Sequence, residues 1–183
     1  FRPPVEFDIM DHVPRYLNYK VTPFVVGADG DDDDEGGGRS YGALRDLDKR
    51  VFRIGLTYDS NEAEFVTRLD ALLADKKIGE LRGLVIGQWF SDCCDEGPNV
   101  LCDKLLANAA KLTSLKGLFV GDVVQEESEI SWIHQCDYGP MLSALPQLAD
   151  VVIRGGNNLR FSKFHSATIQ SILIQSGGLG KAV

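Results

Sequence analysis

Residues Leu81–Gly87 read LRGLVIG, and almost the same letters return at Leu115–Gly121 as LKGLFVG. A stretch repeated this closely indicates a chain built from similar units, in which equivalent residues stack on one another. The two copies therefore provide a template on which the rest of the chain can be aligned.

The template is L-x-x-L-x-L, the strand pattern of leucine-rich repeats. Four stretches carry it, and a fifth fits with more tolerance at Val51/Ile54/Leu56. The four are Leu81/Leu84/Ile86, Leu115/Leu118/Val120, Leu148/Val151/Ile153 and Ile169/Ile172/Ile174. From Ile54 the middle positions advance by 30, 34, 33 and 21 residues, so three of the units are longer than the ordinary repeat of about 20–29 residues and need fuller helices.

Apolar residues at helical spacing fill the segments between these strands. They predict helices over residues 61–77, capped by Ser60, over 99–112 and over 140–145. Strands that alternate with helices indicate a parallel sheet. The predicted fold is therefore α/β, a leucine-rich-repeat-like stack with a parallel sheet. The alternative, a doubly wound parallel α/β sheet, calls for a phosphate loop such as G-x-G-x-x-G, which the sequence lacks.

Composition divides the chain into three parts. Residues 1–27 form a proline-rich N-terminal arm with a candidate edge strand at 24–26, and residues 28–40 form a flexible acidic and glycine-rich linker. Residues 41–183 form the leucine-rich-repeat-like α/β domain, with room for it to continue beyond residue 183. The net charge is −8, but six acids lie in the linker between Asp29 and Glu35, so the remainder carries about −2.

Several classes of protein are disfavoured by these totals. No basic cluster occurs, which argues against a nucleic-acid partner. No apolar run approaches the ~20 residues of a membrane span, and the N-terminus lacks a basic-then-apolar signal pattern, so we expect a cytoplasmic protein that does not bind membranes. In that compartment the cysteines Cys93, Cys94, Cys102 and Cys136 are expected to be reduced thiols.

Four segments together resemble a sparsely characterised bacterial family of leucine-rich-repeat-like cytoplasmic proteins. They are LRGLVIGQW from Leu81, LKGLFVGDVVQEESEISWIHQCD from Leu115, LADVVIRGGNNLRF from Leu148 and IQSILIQSGGL from Ile169. The likeness extends from about Leu81 to Leu179, and the run from Gly121 to Asp137 is its most specific part. The resemblance implies a repeat fold and no particular activity.

Alternate residues of a strand point to opposite faces of its sheet. If Leu84, Ile86 and their equivalents point to the core, a mostly apolar column points outward. Its members are Gly55, Val85, Phe119, Val152 and Leu173. Such a column is normally covered. The cover would be the N-terminal arm or a loop of the same chain, or a partner; otherwise the two faces are assigned the wrong way round.

A second candidate surface is acidic. No Lys or Arg occurs between Lys116 and Arg154, while six acids do: Asp122, Glu126, Glu127, Glu129, Asp137 and Asp150. Trp89 and Trp132 lie at the corresponding strand ends, and aromatic rings beside carboxylates suit a basic peptide. The competing interpretation is that the tryptophans cap the core and the acids are simply solvated. Arg154 and Asn157 are reserve ligands for a small anion.

Catalytic patterns are weak. His134 with Cys136 and the neighbouring acids could form a metal site, but the sequence has no His-Glu-x-x-His, no Cys-x-x-Cys and only three histidines. We therefore assign no catalytic residue, metal ligand or cofactor, and favour a protein that is not an enzyme.

The predicted function is a protein-interaction or scaffold module that binds a protein partner, for which a basic one is suited, through the outer sheet face and the acidic strand-end loop. The predicted contact residues are Val85, Trp89, Phe119, Asp122, Glu126, Glu127, Glu129, Trp132, Val152, Arg154 and Leu173. Two alternatives remain open. One is an α/β enzyme or metal-dependent hydrolase centred on the acidic loop and His134, and the other is a structural subunit of a larger assembly.

Overall fold

One seven-stranded sheet organises the part of the chain that the computed structural model describes, residues 9–26, 42–57, 60–90 and 96–180. The linker predicted over 28–40 and the thiols Cys93 and Cys94 lie outside these residues. In chain order the strands are β1 (Arg15–Tyr16), β2 (Tyr19–Pro23), β3 (Arg50–Ile54), β4 (Gly83–Ile86), β5 (Gly117–Val120), β6 (Asp150–Arg154) and β7 (Ser171–Gln175).

Strand order in the sheet follows strand order in the sequence, β1 to β7 without interruption. β1 pairs with β2 in antiparallel orientation, and every later neighbour is parallel. A doubly wound sheet reverses its strand order at a switch point, where ligands bind. The described strands show no such reversal.

Residues of the repeated stretch lie side by side in neighbouring strands. Leu84 pairs with Leu118 and Ile86 with Val120, and the same rows continue into β6 and β7 through Val151/Ile172 and Ile153/Ile174. The spacing of the sequence template thus predicts the register of these four strands correctly.

The fifth alignment is wrong by two residues. Phe52 pairs with Leu84 and Ile54 with Ile86, whereas the sequence template aligns Ile54 with Leu84. In β3 the residue beside Val85 is therefore Arg53, and Gly55 does not belong to the outward column. The shift arises because the flanking Val51 and Leu56 are also buried, so apolar spacing alone did not determine the register.

In the described parts of the connections there are three α-helices: α1 (Glu62–Ala74), α2 (Asn99–Ala107) and α3 (Gly139–Ala144). Asn61, not Ser60, caps α1, since its side-chain oxygen accepts from the Glu64 N–H at 3.3 Å. The predicted second helix divides into α2 and a 3-10 turn at Ala109–Lys111, and another 3-10 turn at Ile78–Glu80 precedes β4.

The sheet buries both of its faces. On one face, Leu84, Ile86 and their neighbours pack with the apolar sides of the helices, including Leu69 and Leu105. On the other face lies a separate apolar cluster formed by Val51, Val85, Phe119 and Val152 with residues of the N-terminal arm.

The arm reaches this second face through a tight hairpin. Tyr16 pairs with Tyr19 across the two turn residues Leu17 and Asn18, which both have positive φ, 52° and 68°. Two successive positive φ angles are what a type I′ hairpin turn requires. The strand expected at 24–26 lies earlier in the chain, as β2, in which Lys20–Pro23 pairs with Arg50–Arg53. β2 is not an edge strand, since it lies between β1 and β3, and the edge of the sheet on this side is β1. None of the described helices is both long and apolar enough to cross a bilayer.

Candidate interaction surface and the charged cluster beneath the arm

The outward column is buried beneath the chain's own arm. Val85 and Phe119 are fully buried, and Val152 is 3% exposed. Val13 and Tyr16 belong to the same apolar cluster, and the Tyr16 ring meets the Phe119 ring edge to face with centroids 6.1 Å apart. Leu173, on the last strand, is half-buried against this cluster. The sequence therefore assigns the faces correctly, but with the arm in place Val85, Phe119 and Val152 are closed to a partner.

One glycine of the repeated stretch explains how the arm fits so closely. A Cβ atom on Gly117 would lie 2.6 Å from Leu17 Cδ1 and 2.8 Å from Tyr16 Cε1. The missing side chain lets the hairpin rest directly on the backbone of β5. At the equivalent Gly83, a Cβ would lie 2.6 Å from Val51 Cγ1 of β3 and 3.4 Å from Leu17 Cδ1. Tyr16 also donates its hydroxyl hydrogen to Asp150 Oδ1 at 2.8 Å, which ties the hairpin to β6.

A charged cluster holds the arm at the other end of the strands. Arg53 Nε donates to Asp122 Oδ2 at 2.7 Å, and Arg53 NH2 donates to the Asp122 carbonyl oxygen at 2.9 Å. The second carboxylate oxygen of Asp122 accepts the backbone N–H of Val13 at 3.0 Å. His12 lies against the same group, with Nδ1 3.4 Å from Asp122 Oδ2 and Nε2 3.4 Å from Glu127 Oε1. Asp122 thus joins β3, the loop after β5 and the arm.

The pKa values reflect this arrangement. Hydrogen bonds to Asp122 and Glu127 raise the pKa of His12 to about 9, against opposition from burial and from the Arg53 charge. Burial raises the pKa of Asp122, but contacts with His12, Arg53 and the Val13 N–H outweigh it and hold that pKa below its ordinary value. Arg53 NH2 also lies 3.1 Å from His12 Nδ1, so the two basic side chains meet at the same Asp122 carboxylate.

Arg154 is also buried and is not a surface ligand. Its NH1 donates to the Val123 carbonyl oxygen at 2.8 Å and its Nε donates to Gln175 Oε1 at 3.2 Å, while the guanidinium carbon lies 5.6 Å from the centre of the Phe119 ring. The side chain is 1% exposed. Its contacts stabilise the ends of β6 and β7 and leave no accessible group for an anion or a partner.

The two tryptophans differ. Trp89 is 6% exposed, packs edge to face on Phe90 and donates its indole N–H to the Glu96 carbonyl oxygen at 3.3 Å. It therefore caps the core, in agreement with the competing interpretation. Trp132, by contrast, is 52% exposed.

An ordered loop carries Trp132. The Trp132 N–H donates to the Glu129 carbonyl oxygen at 2.9 Å, and the Asn157 side-chain amide donates to the Ser131 carbonyl oxygen at 2.6 Å. Glu126 and Glu129 of the same loop are exposed, whereas Glu127 turns inward to His12 and to the Val124 N–H. Of the predicted contact residues, Glu126, Glu129 and Trp132 are exposed, and we call them the strand-end surface.

The residues of the metal site considered in the sequence have separate surroundings in the structure. Cys136 is buried with its sulfur 3.3 Å from the Cys102 sulfur, and both thiols are free. His134 is half-buried and pairs with Asn157 in an isolated parallel bridge. Among the described residues no three His, Cys, Asp or Glu side chains lie close enough to hold a metal ion.

Sequence reasoning missed His12 and Arg53. The contact between His12 and Asp122 was not predicted because the two residues lie far apart in the sequence. The contact of Arg53 was not predicted because the alignment of β3 was wrong by two residues. One signal was available, since a basic residue inside an apolar strand needs a carboxylate partner, and Asp122 immediately follows the repeated stretch.

Comparison with solved structures finds a similar protein from Bacteroides fragilis, a structural-genomics target known from its crystal structure. The match covers 72% of the present chain with 39% sequence identity and a TM-score of 0.62. The chain spans about a third, 36%, of that protein's length. No protein-family model matches the chain, and no curated protein matches it.

Proposed function

We propose that the chain is a leucine-rich-repeat-like interaction module that binds a basic segment of a protein partner at the strand-end surface. The repeat assignment is supported by the unbroken strand order and by the alignment of the repeated stretch with itself in β4 and β5. In a stack of this kind each unit contacts its neighbours, which is the order observed in the sheet.

The observation that carries the proposal is the exposure of Trp132. A large aromatic side chain that is 52% exposed on an ordered loop is a common anchor for protein partners. Glu126 and Glu129 lie in the same loop, and no Lys or Arg occurs between Lys116 and Arg154 to neutralise them. An aromatic ring beside carboxylates attracts the guanidinium or ammonium group of a basic peptide.

The outer column is not part of the proposed binding surface. Because Val85, Phe119 and Val152 are covered by the arm, the interaction module binds through its strand ends and not through the sheet face. For the alternative of a metal-dependent hydrolase, no group of three His, Cys, Asp or Glu side chains among the described residues could hold the metal ion.

Tryptophan fluorescence can test the binding proposal directly. Trp89 is buried and Trp132 is exposed, so a ligand at the strand-end surface should alter chiefly the emission of Trp132. Titration with a synthetic Arg- and Lys-rich peptide should give a saturable change at low salt. Glu126→Gln combined with Glu129→Gln should weaken the affinity about tenfold, and Trp132→Phe should abolish the signal change.

Matched controls separate the surface from general charge. Glu80→Gln combined with Asp103→Asn removes two exposed acids outside the strand-end surface and should leave the peptide affinity unchanged. Leu106→Ala removes an exposed apolar side chain from α2 and should also have no effect. Equal losses in the two double variants, or no saturation in the parent protein, would refute the proposal.

A further inference from the structure

A cavity of about 640 Å³ lies at the end of the sheet where the parallel strands begin, opposite to the strand-end surface. The arm hairpin forms one wall through Leu17 and Tyr19, and the starts of β4 to β7 form the other. Its polar lining comes from Tyr19, Arg82, Lys116, Asp150, Gln170 and Ser171. This volume is within the range of small-molecule sites.

Two cations lie side by side in this cavity. Arg82 and Lys116 occupy the same position of the repeated stretch, each immediately before a glycine, and Gly83 pairs with Gly117 across β4 and β5. Neighbouring strands lie about 5 Å apart, so the two residues begin from adjacent backbone positions. Adjacent like charges destabilise a sheet.

No carboxylate of the described chain relieves this repulsion by pairing with either group. Arg82 donates to the Tyr19 hydroxyl oxygen at 2.7 Å and lies over the Tyr19 ring, with its guanidinium carbon 5.8 Å from the ring centre. Lys116 makes no side-chain hydrogen bond or ion pair within the described residues. Both cations are exposed to the cavity and can accept an anion.

Further donors face the same space from β7. The backbone N–H groups of Gln170 and Ser171 donate to the Ala149 carbonyl oxygen at 2.8 and 3.1 Å, which fixes the start of the strand. Their exposed side chains supply an amide and a hydroxyl group. Asp150 supplies a single carboxylate, which already accepts the Tyr16 hydroxyl hydrogen.

We propose that this cavity binds a small organic anion whose phosphate or carboxylate group is held between Arg82 and Lys116. Gln170 and Ser171 donate to the bound molecule, and Asp150 selects a hydroxyl or amine group at its other end. The site lies where the parallel strands begin, at the end of the sheet opposite to the strand-end surface. It does not depend on the proposed peptide binding.

The test uses inorganic phosphate and acetate as probes, each at constant ionic strength against sodium chloride. We expect saturable chemical-shift changes at the amides of Lys116, Gly117 and Ser171 with at least one of the two, and the stronger probe identifies the anionic group. Lys116→Gln and Arg82→Gln should each weaken that binding at least tenfold, whereas Lys76→Gln, at an exposed lysine outside the cavity, should not change it.

Two further measurements distinguish a binding role from a structural one. Lys116→Gln should leave the thermal midpoint of the free protein unchanged or higher, because it removes one of the two positive charges that line the cavity, while abolishing the rise in midpoint that the anion produces. Asp150→Asn should tighten anion binding, because it removes the negative charge from the cavity. Absence of saturation with both probes, or equal affinity in the parent, Arg82→Gln and Lys116→Gln proteins, would overturn the proposal.

Discussion

Arg53 and Asp122, 69 residues apart in the sequence, form an ion pair at 2.7 Å on the sheet face that the arm covers. Asp122 is completely buried and the Arg53 side chain is 14% exposed. Because the same carboxylate accepts the Val13 N–H, the pair determines where the arm meets the sheet. Removing one partner of a buried ion pair leaves the other charge buried without compensation, which strongly destabilises a protein.

Replacing Asp122 by Asn should therefore destabilise the protein strongly. The change leaves the Arg53 and His12 charges without their shared carboxylate, and we expect a loss of about 3 kcal/mol in the free energy of unfolding. Urea unfolding at pH 7 measures it. Glu126→Gln, on an exposed side chain of the same loop, should change stability by less than about 0.5 kcal/mol. A similar small effect for Asp122→Asn would show that the ion pair does not hold the arm.

The raised pKa of His12 predicts weaker stability on the alkaline side. The folded value of about 9 lies above the ordinary 6.5, so the stabilisation by protonated His12 is fully present below pH 6.5 and is lost as the pH rises through 9. His12 is 41% exposed, so the effect is screened by solvent and should be modest. NMR titration of the imidazole should give a midpoint near 9, and the decline in stability should be smaller in His12→Gln. A midpoint near 6.5 would exclude the contacts with Asp122 and Glu127.

Asp122 should act in the opposite pH range. Its pKa is held below the ordinary value of 3.8, so its contribution is present above that pH and is lost as the pH falls through the lowered pKa. Acid unfolding of Asp122→Asn should therefore show a shallower pH dependence than that of the parent protein. Identical slopes would count against a lowered pKa.

A methyl group at Gly117 should displace the hairpin. Its backbone does not have the positive φ that favours glycine, so Gly117→Ala tests the contact with Leu17 and Tyr16 alone. We expect a loss of about 1–3 kcal/mol and faster proteolysis of the arm. Gly178→Ala is the matched control because a Cβ there meets nothing within 4 Å. Unchanged stability and proteolysis in Gly117→Ala would place the hairpin elsewhere.

Cys102 and Cys136 should resist thiol reagents in the folded protein. Both are buried, and the neighbouring thiol and burial raise the pKa of Cys102, so the reactive thiolate is scarce. In a Cys93→Ser/Cys94→Ser background, Ellman's reagent should modify these thiols only as fast as the protein unfolds. Rapid modification under native conditions would contradict their burial.

The sequence predicted the sheet better than the candidate site, for a physical reason. Leu84, Leu118, Val151 and Ile172 recur because equivalent apolar residues must stack, so their spacing determines the register. The same spacing identified Val85 and Phe119 as a separate face. It could not show that Tyr16 covers that face, since a contact between an arm and a distant strand has no sequence period.

Charge was the harder part to predict. Asp122, Glu127 and Arg154 read as members of an acidic or ligand-binding surface, but Asp122 and Arg154 are buried and Glu127 turns toward His12. A charge count in the sequence does not distinguish a solvated carboxylate from one that is paired across the fold. Trp89 and Trp132 presented the same difficulty. Both follow strands in the sequence, and only their packing in the structure shows that one is buried and the other exposed.

The contact between Tyr16 and Phe119 tests most directly whether the arm covers its own sheet. Aromatic NMR cross-peaks between the two rings should appear in a uniformly labelled sample, because their centroids lie 6.1 Å apart. The same cross-peaks should be absent from an isotope-filtered experiment on a mixture of labelled and unlabelled chains, because the contact is intramolecular. Absence of cross-peaks in the uniform sample, or their appearance between chains in the mixture, would contradict the account and make the Phe119 face available to a partner.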